Sequence, residues 1–216
     1  MTALTPAEAW AQLEAGNKRF VDGRAEHPHQ DAARRAELEG SQAPFATVFN
    51  CSDSRVSSET LFDLGLGDAF VVRNAGQVIS ESALGTIEYA VALLHTPVLV
   101  VMSHQNCGAI RAAIDSSTPD ADRLPPHIAD VIAPIMPAVQ RAVGAAGAQV
   151  DAAPIDAAQI DATEVAREHV QGTIGELLRR SEIVAQAVAD GELAIVGCHY
   201  RLSDGAVTSH VVIGEV

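Results

Sequence analysis

The sequence predicts an α/β fold: a mostly parallel central sheet flanked by helices, with an N-terminal helical arm over residues 1–40 and an antiparallel edge strand. Residues 41–216 make up a single globular unit, within the size range in which one domain buries a large shared core. Three observations carry this reading. From Phe45 onward, short apolar runs alternate with helix-period stretches, the pattern of parallel strands joined by crossover helices. Ahead of Phe45 the signals are those of helices. Near the end, Ser203, Asp204 and Gly205 form a turn into a last apolar run that returns antiparallel at the sheet edge.

Thr5, Pro6 and Glu8 supply an N-cap, a proline at the first helical position and a capping-box partner, so a first helix runs to about Phe20. Gly23 and the polar run to Gln30 end it, and Asp31 to Leu38 reads as a second helix stopped by Gly40. Strands are expected at Phe45–Phe49, Ala69–Val72, Val98–Met102, Leu193–Cys198 and Val207–Ile213. Between them lie helices at Ser57–Leu64, Ser82–Leu94, Cys107–Ile114, Pro126–Val143 and Thr163–Ala189. Gly144 to Ile160 is rich in Ala, Gly and Asp with weak periodicity, and reads as a mobile loop.

The formal net charge is −14, with Lys and Arg scattered along the chain, which opposes binding to nucleic acid or to an anionic membrane surface. No stretch approaches the roughly 18 uncharged apolar residues of a membrane span, and the N-terminus lacks a basic start followed by an apolar run. A cytoplasmic protein is expected. With only Cys51, Cys107 and Cys198 present, thiols that are free or metal-bound are expected in place of a disulfide framework.

Two candidate ligand groups follow predicted strands: Cys51-Ser52-Asp53-Ser54-Arg55 after the first, and His104-Gln105-Asn106-Cys107-Gly108 after the third. Both therefore fall at carboxyl ends of parallel strands, where open sheets bind ligands. Two thiolates and one imidazole suit Zn²⁺, and three protein ligands leave the fourth position for water, whose pKa falls to about 7 at such a site. Asp53 lies two residues from Cys51, so its carboxylate can approach the same metal, and Arg55 can hold it by a bidentate pair. Kept ionised, Asp53 only accepts hydrogen bonds and would orient the metal-bound hydroxide. Released from Arg55, it would become a fourth ligand and close the site. A structural zinc site with Asp53 as permanent fourth ligand is the alternative.

Cys198 lies in an apolar run and reads as a core thiol, and His199 and His210 as strand residues. His27, His29, His95, His127 and His169 lack ligand spacing and are assigned no role.

Together these residues resemble the β-class carbonic anhydrases. The resemblance runs over nearly the whole chain: Gly16, Asn17, Arg19 and Phe20, then CSDSRV from Cys51, FVVRNAG from Phe70, GTIEYAV from Gly85, HQNCGA from His104 and VGCHYRLSDG from Val196. It implies reversible hydration of CO₂ to bicarbonate and a proton, with one Zn²⁺ per subunit. It also implies a homodimer or homotetramer in which the first helix wraps onto the partner and the cleft lies near the interface. Cys51, His104 and Cys107 match the zinc ligands, Asp53 with Arg55 the catalytic dyad, and Gln42, Phe70, Tyr89 and Gly108 the substrate cleft. A zinc hydrolase of CS₂ or COS needs the same ligands and dyad. Some relatives carry an inhibitory bicarbonate site; Arg73 and Tyr200 match two of its positions, whereas Val48 stands where they have Trp. Ser103 stands where many members have Gly, from which a local backbone effect is expected.

Overall fold

The computed structural model describes residues 4–145 and 157–216. Five strands, β1 (Ala46–Cys51), β2 (Ala69–Asn74), β3 (Val98–His104), β4 (Ala194–Tyr200) and β5 (Val207–Ile213), form one sheet in the order β2-β1-β3-β4-β5. The first four are parallel and β5 is antiparallel to β4. Every residue of β1, β3 and β4 is buried, as expected of parallel strands covered by helices on both faces. The chain leaves β1 toward β2 on one side and then crosses to β3 on the other. The order therefore reverses between β1 and β3, and their carboxyl ends flank a crevice.

Helix α1 (Pro6–Val21) starts in the predicted capping box: Thr5 Oγ1 accepts from the Glu8 amide at 3.2 Å, and the Thr5 amide donates to Glu8 Oε2 at 2.9 Å. Its apolar stripe, Ala9, Trp10 and Leu13, joins one core cluster with Val48, Val100, Val196 and Tyr200 of the sheet. Burying each large apolar side chain contributes about 1.5–3 kcal/mol. The approach is close at Gly16, where a Cβ would fall 1.8 Å from the Phe62 carbonyl oxygen. Beside it, buried Asn17 donates to the carbonyls of Leu61 and Gly205 and accepts from the Val207 amide, tying the helix to the β4–β5 turn.

α2 (Ala32–Glu37) is capped by Asp31, whose side chain accepts from the Arg34 amide. On the opposite face of the sheet, α4 (Glu81–Ala92), α8 (Ala162–Arg180) and α9 (Glu182–Ala189) pack Leu84, Ile87, Val91, Ile174, Leu177 and Val184 against Phe49, Leu99, Val101 and Ile195. A third cluster gathers α5 (Gly108–Asp115), α6 (Pro126–Ile132) and α7 (Met136–Ala145) around Cys51 and Cys107.

Three predicted helices differ in extent. Ser57–Leu64 shrinks to α3 (Ser58–Leu61), because Asp63 turns left-handed at φ 49°. Pro126–Val143 divides into α6 and α7 around a 3₁₀ turn, Ala133–Ile135; it contains Pro134, which has no N–H to donate. Thr163–Ala189 breaks at Ser181, which leaves helical geometry and caps α9 by accepting from the Val184 amide. The loop expected over residues 144–160 lies largely outside the described residues.

Candidate metal and catalytic site

Cys51 ends β1, His104 ends β3, and Cys107 sits at the N-cap of α5, so three short connections bring them together at the crevice. Their ligand atoms all lie within 4.8 Å of one another, and all three residues are buried. A tetrahedral zinc with bonds of about 2.0–2.3 Å separates its ligands by roughly 3.5–3.8 Å, so the cluster needs little adjustment to close on the ion. Its chemistry also fits a cation: His104 Nδ1 is engaged by the Gln105 carbonyl at 2.9 Å, while the buried Nε2 has no protein partner. Engagement of Nδ1 leaves Nε2 as the free lone pair, the tautomer a metal ligand needs.

The thiols reinforce this reading. Cys51 is pulled down chiefly by a hydrogen bond from the Cys107 thiol and further by one from the Gly76 amide, against the opposing effect of burial. Cys107 is pushed up by its bond to Cys51, by burial and by the charge on Cys51. Two thiols this close ionise one at a time, and a cation between them lets both ionise.

Asp53 and Arg55 form the bidentate pair expected, Nε to Oδ1 at 2.9 Å and Nη2 to Oδ2 at 2.7 Å, with the Arg55 amide adding a third bond at 3.0 Å. The guanidinium holds the Asp53 carboxyl far below the usual carboxylate range. Asp53 Oδ2 lies 4.0 Å from His104 Nε2, beside the cluster yet committed to Arg55.

Of the four cleft residues, Gly108 is adjacent to the cluster as the first residue of α5. The other three lie elsewhere in this chain. Phe70 pairs with Thr47 in the strand register, four residues before the level of Cys51, and Tyr89 of α4 stacks on it at 5.9 Å between ring centroids. Gln42 is exposed, before the amino end of β1, and lines a surface depression with Leu38 and Leu66.

Three residues make contacts that the sequence did not show. Arg73 donates to the carbonyls of Cys51 at 2.9 Å and Asp53 at 2.8 Å, clamping the loop that carries ligand and dyad. Its signal was a charged residue in an apolar strand run. Ser103 does more than change the backbone: its hydroxyl pairs with His199 Nδ1 at 2.9 Å within the core. His169 belongs to the buried stripe of α8, and its Nε2 lies 2.8 Å from the Gly76 carbonyl. A lone titratable residue on that apolar periodicity, beside Val165, Ala166 and Val170, was the readable sign.

A carbonic anhydrase family model matches residues 46–207. Across its full length the chain is 42% identical over 217 residues to a carbonic anhydrase of Mycolicibacterium smegmatis, covering 98% of that relative. It is 40% identical over 220 residues to carbonic anhydrase 2 of Mycobacterium tuberculosis, again covering 98% of the relative. A Coccomyxa β-carbonic anhydrase solved in complex with acetazolamide superposes with a TM-score of 0.68 at 27% identity, over 96% of this chain and 89% of that one. A tetrameric β-carbonic anhydrase of Sordaria macrospora shares the fold at a TM-score of 0.70 and 24% identity, over 90% and 93% of the two chains. These relatives favour CO₂ hydration over hydrolysis of CS₂ or COS and over a structural zinc role. A family match spanning most of the chain, with full-length relatives of this identity, means that the chain belongs to the β-carbonic anhydrases, lyases that reversibly hydrate CO₂ to bicarbonate and a proton.

Proposed function

We propose that Cys51, His104 and Cys107 hold one Zn²⁺ per subunit and that Asp53, fixed by Arg55, orients the attacking oxygen toward CO₂. Zinc held by two thiolates and an imidazole keeps a fourth position for solvent and makes that solvent a nucleophile near neutral pH. The observation that carries the reading is the position of Asp53, whose Oδ2 is 4.0 Å from His104 Nε2 while both carboxylate oxygens are engaged by Arg55. An ionised carboxylate there can only accept, so it takes the O–H of the nucleophile and turns a lone pair toward the carbon of CO₂. Arg55 Nη2 also reaches the Asn106 carbonyl at 3.3 Å, so the dyad spans the loops after β1 and β3 and holds both ligand groups in one geometry. The Gly108 N–H, at the start of α5, offers a donor for a developing oxyanion.

Gln42, Phe70 and Tyr89 complete the cleft from a second copy of the chain, giving a homodimer or homotetramer. Two features support this: their distance along β1 and β2 from the chain's own cluster, and the outward-facing Tyr89 and Leu93, 47% and 63% exposed. Residues 1–40 are read as an arm on the catalytic unit of residues 41–216. A cytoplasmic location is supported by the three cysteines, none of which is paired in a disulfide. Among the described residues no helix is long and apolar enough to cross a membrane. The acidic chain is expected to bind neither nucleic acid nor an anionic membrane surface.

Stopped-flow CO₂ hydration on purified protein, paired with its zinc content, tests this reading. Fast turnover proportional to zinc is expected, and stoichiometric zinc without hydration at neutral and alkaline pH would overturn it.

A further inference from the structure

His169 is 4% exposed, in the apolar stripe of α8, and the ligands and dyad make no use of it. A carbonyl only accepts, so the 2.8 Å contact to the Gly76 oxygen fixes the imidazole proton on Nε2. Burial, helped by the charge of Arg141, pushes the ring below its ordinary value and outweighs the opposing bond to Gly76 and the charge of Glu176, so the ring is a neutral donor. α7 braces this position from behind: Arg141 Nε binds Glu168 Oε2 at 2.6 Å, and its Nη2 binds the Glu168 carbonyl at 3.0 Å.

Gly76 itself faces the metal cluster. Its N–H donates to Cys51 Sγ at 3.4 Å. The residue is left-handed at φ 75°, and a side chain there would meet Ala109 Cβ and Ile135 Cδ1, each at 2.9 Å. Gln77 follows at φ 42°, fully buried, with neither polar atom of its amide engaged. A left-handed residue other than glycine, here Gln77, is costly unless its surroundings fix it. The buried Gly76 carbonyl has one side-chain partner to do so, His169.

We infer that His169 is a positioning residue for the metal site: by holding the Gly76 carbonyl it sets the Ala75–Gln77 turn so that the Gly76 amide donates to Cys51 Sγ. A hydrogen bond to a metal-binding thiolate withdraws charge from sulfur, leaving the metal a stronger Lewis acid, and favours the ionised, metal-binding form over the thiol. The inference rests on the zinc reading above.

Three substitutions separate donor from packing. In His169→Gln the side-chain amide nitrogen reaches about as far as Nε2; in His169→Asn it stops short; His169→Met fills volume without a donor. Each is prepared with cobalt for the sulfur-to-metal charge-transfer band and with zinc for competition against a chelator. The Asn and Met proteins are expected to show the band at lower energy and zinc affinity weakened roughly 10- to 100-fold, with Gln close to wild type. Unchanged band and affinity in Asn and Met, or an equal shift in Gln, would overturn the role. If Asn and Met fail to fold, wild-type protein loaded with ¹¹³Cd decides. The Gly76 amide proton should then couple to the metal through the Cys51 sulfur while the His169 Nε2 proton exchanges slowly, and absence of either sinks the inference. Failure of the wild type to take up any of these metals would instead overturn the zinc reading.

Discussion

At the scale of single residues, the site separates groups that hold the metal from groups that steer the reaction. The side chains of Asp53 and Arg55 make no hydrogen bond to a ligand atom, the nearest approach being Asp53 Oδ2 at 4.0 Å from His104 Nε2, so truncating either leaves the Cys51, His104 and Cys107 set intact. Asp53→Ala and Arg55→Ala are therefore expected to keep stoichiometric zinc by elemental analysis yet lose roughly 100- to 10,000-fold in kcat/KM for CO₂, the range of a positioned acceptor group. Cys51→Ala should lose the metal itself, since two remaining ligands bind zinc far more weakly than three. Because Arg55 holds Asp53 far below the usual carboxylate range, protonation of Asp53 cannot account for a rate change between pH 6 and 9. Any such change must come from other groups or from rearrangement of the pair.

At the scale of elements, two joints hold the site's supports in place. Asn17 joins α1 to the end of α3 and to the β4–β5 turn through three hydrogen bonds, two of them buried and one partly buried. Asn17→Ala leaves two carbonyls and an amide without that partner, and is expected to lower unfolding stability by about 2–4 kcal/mol in urea titration. Ser181 is milder. Its hydroxyl caps α9 and donates to Glu88 Oε1 at 2.7 Å, so Ser181→Ala should cost about 1–2 kcal/mol with zinc content unchanged. A loss in either variant of under a few tenths of a kcal/mol would show that the joint contributes little.

Across the whole molecule, buried histidines set the acid side of stability. Burial lowers His169, His199 and His210, His199 to about 4. Such a group binds its proton more readily in the unfolded chain, so folding stability is full above about pH 6.5 and declines as pH falls from there toward 4. For His199 the decline is on the order of 1–3 kcal/mol, and His199→Gln should flatten the urea midpoint against pH across that window. A curve of wild-type steepness in the variant would show that other groups carry the acid sensitivity. Metal joins the same account, because the proposed ligands close the carboxyl ends of β1 and β3 against α5. Stripping zinc with a chelator is expected to lower the melting temperature, and readdition to restore it.

The sequence by itself determined the class of the fold, the order of its elements and the chemistry of the centre. Strand periodicity, caps and the paired Cys51-x-Asp53-x-Arg55 and His104-x-x-Cys107 runs are local patterns, and local patterns survive in one dimension. The capping box at Thr5 and the last strand, Val207–Ile213, were legible for that reason. Tertiary structure decided what depends on residues far apart in the chain. It placed His169 beneath Gly76, 93 positions away, and folded Arg73 back over the carbonyls of Cys51 and Asp53. It also set Ser103 against His199 and moved Phe70 and Tyr89 away from the chain's own ligands. Those contacts follow from the reversal of strand order between β1 and β3, and from which helix crosses which face of the sheet. Both are fixed by the shared burial of the core, which no short window of sequence contains.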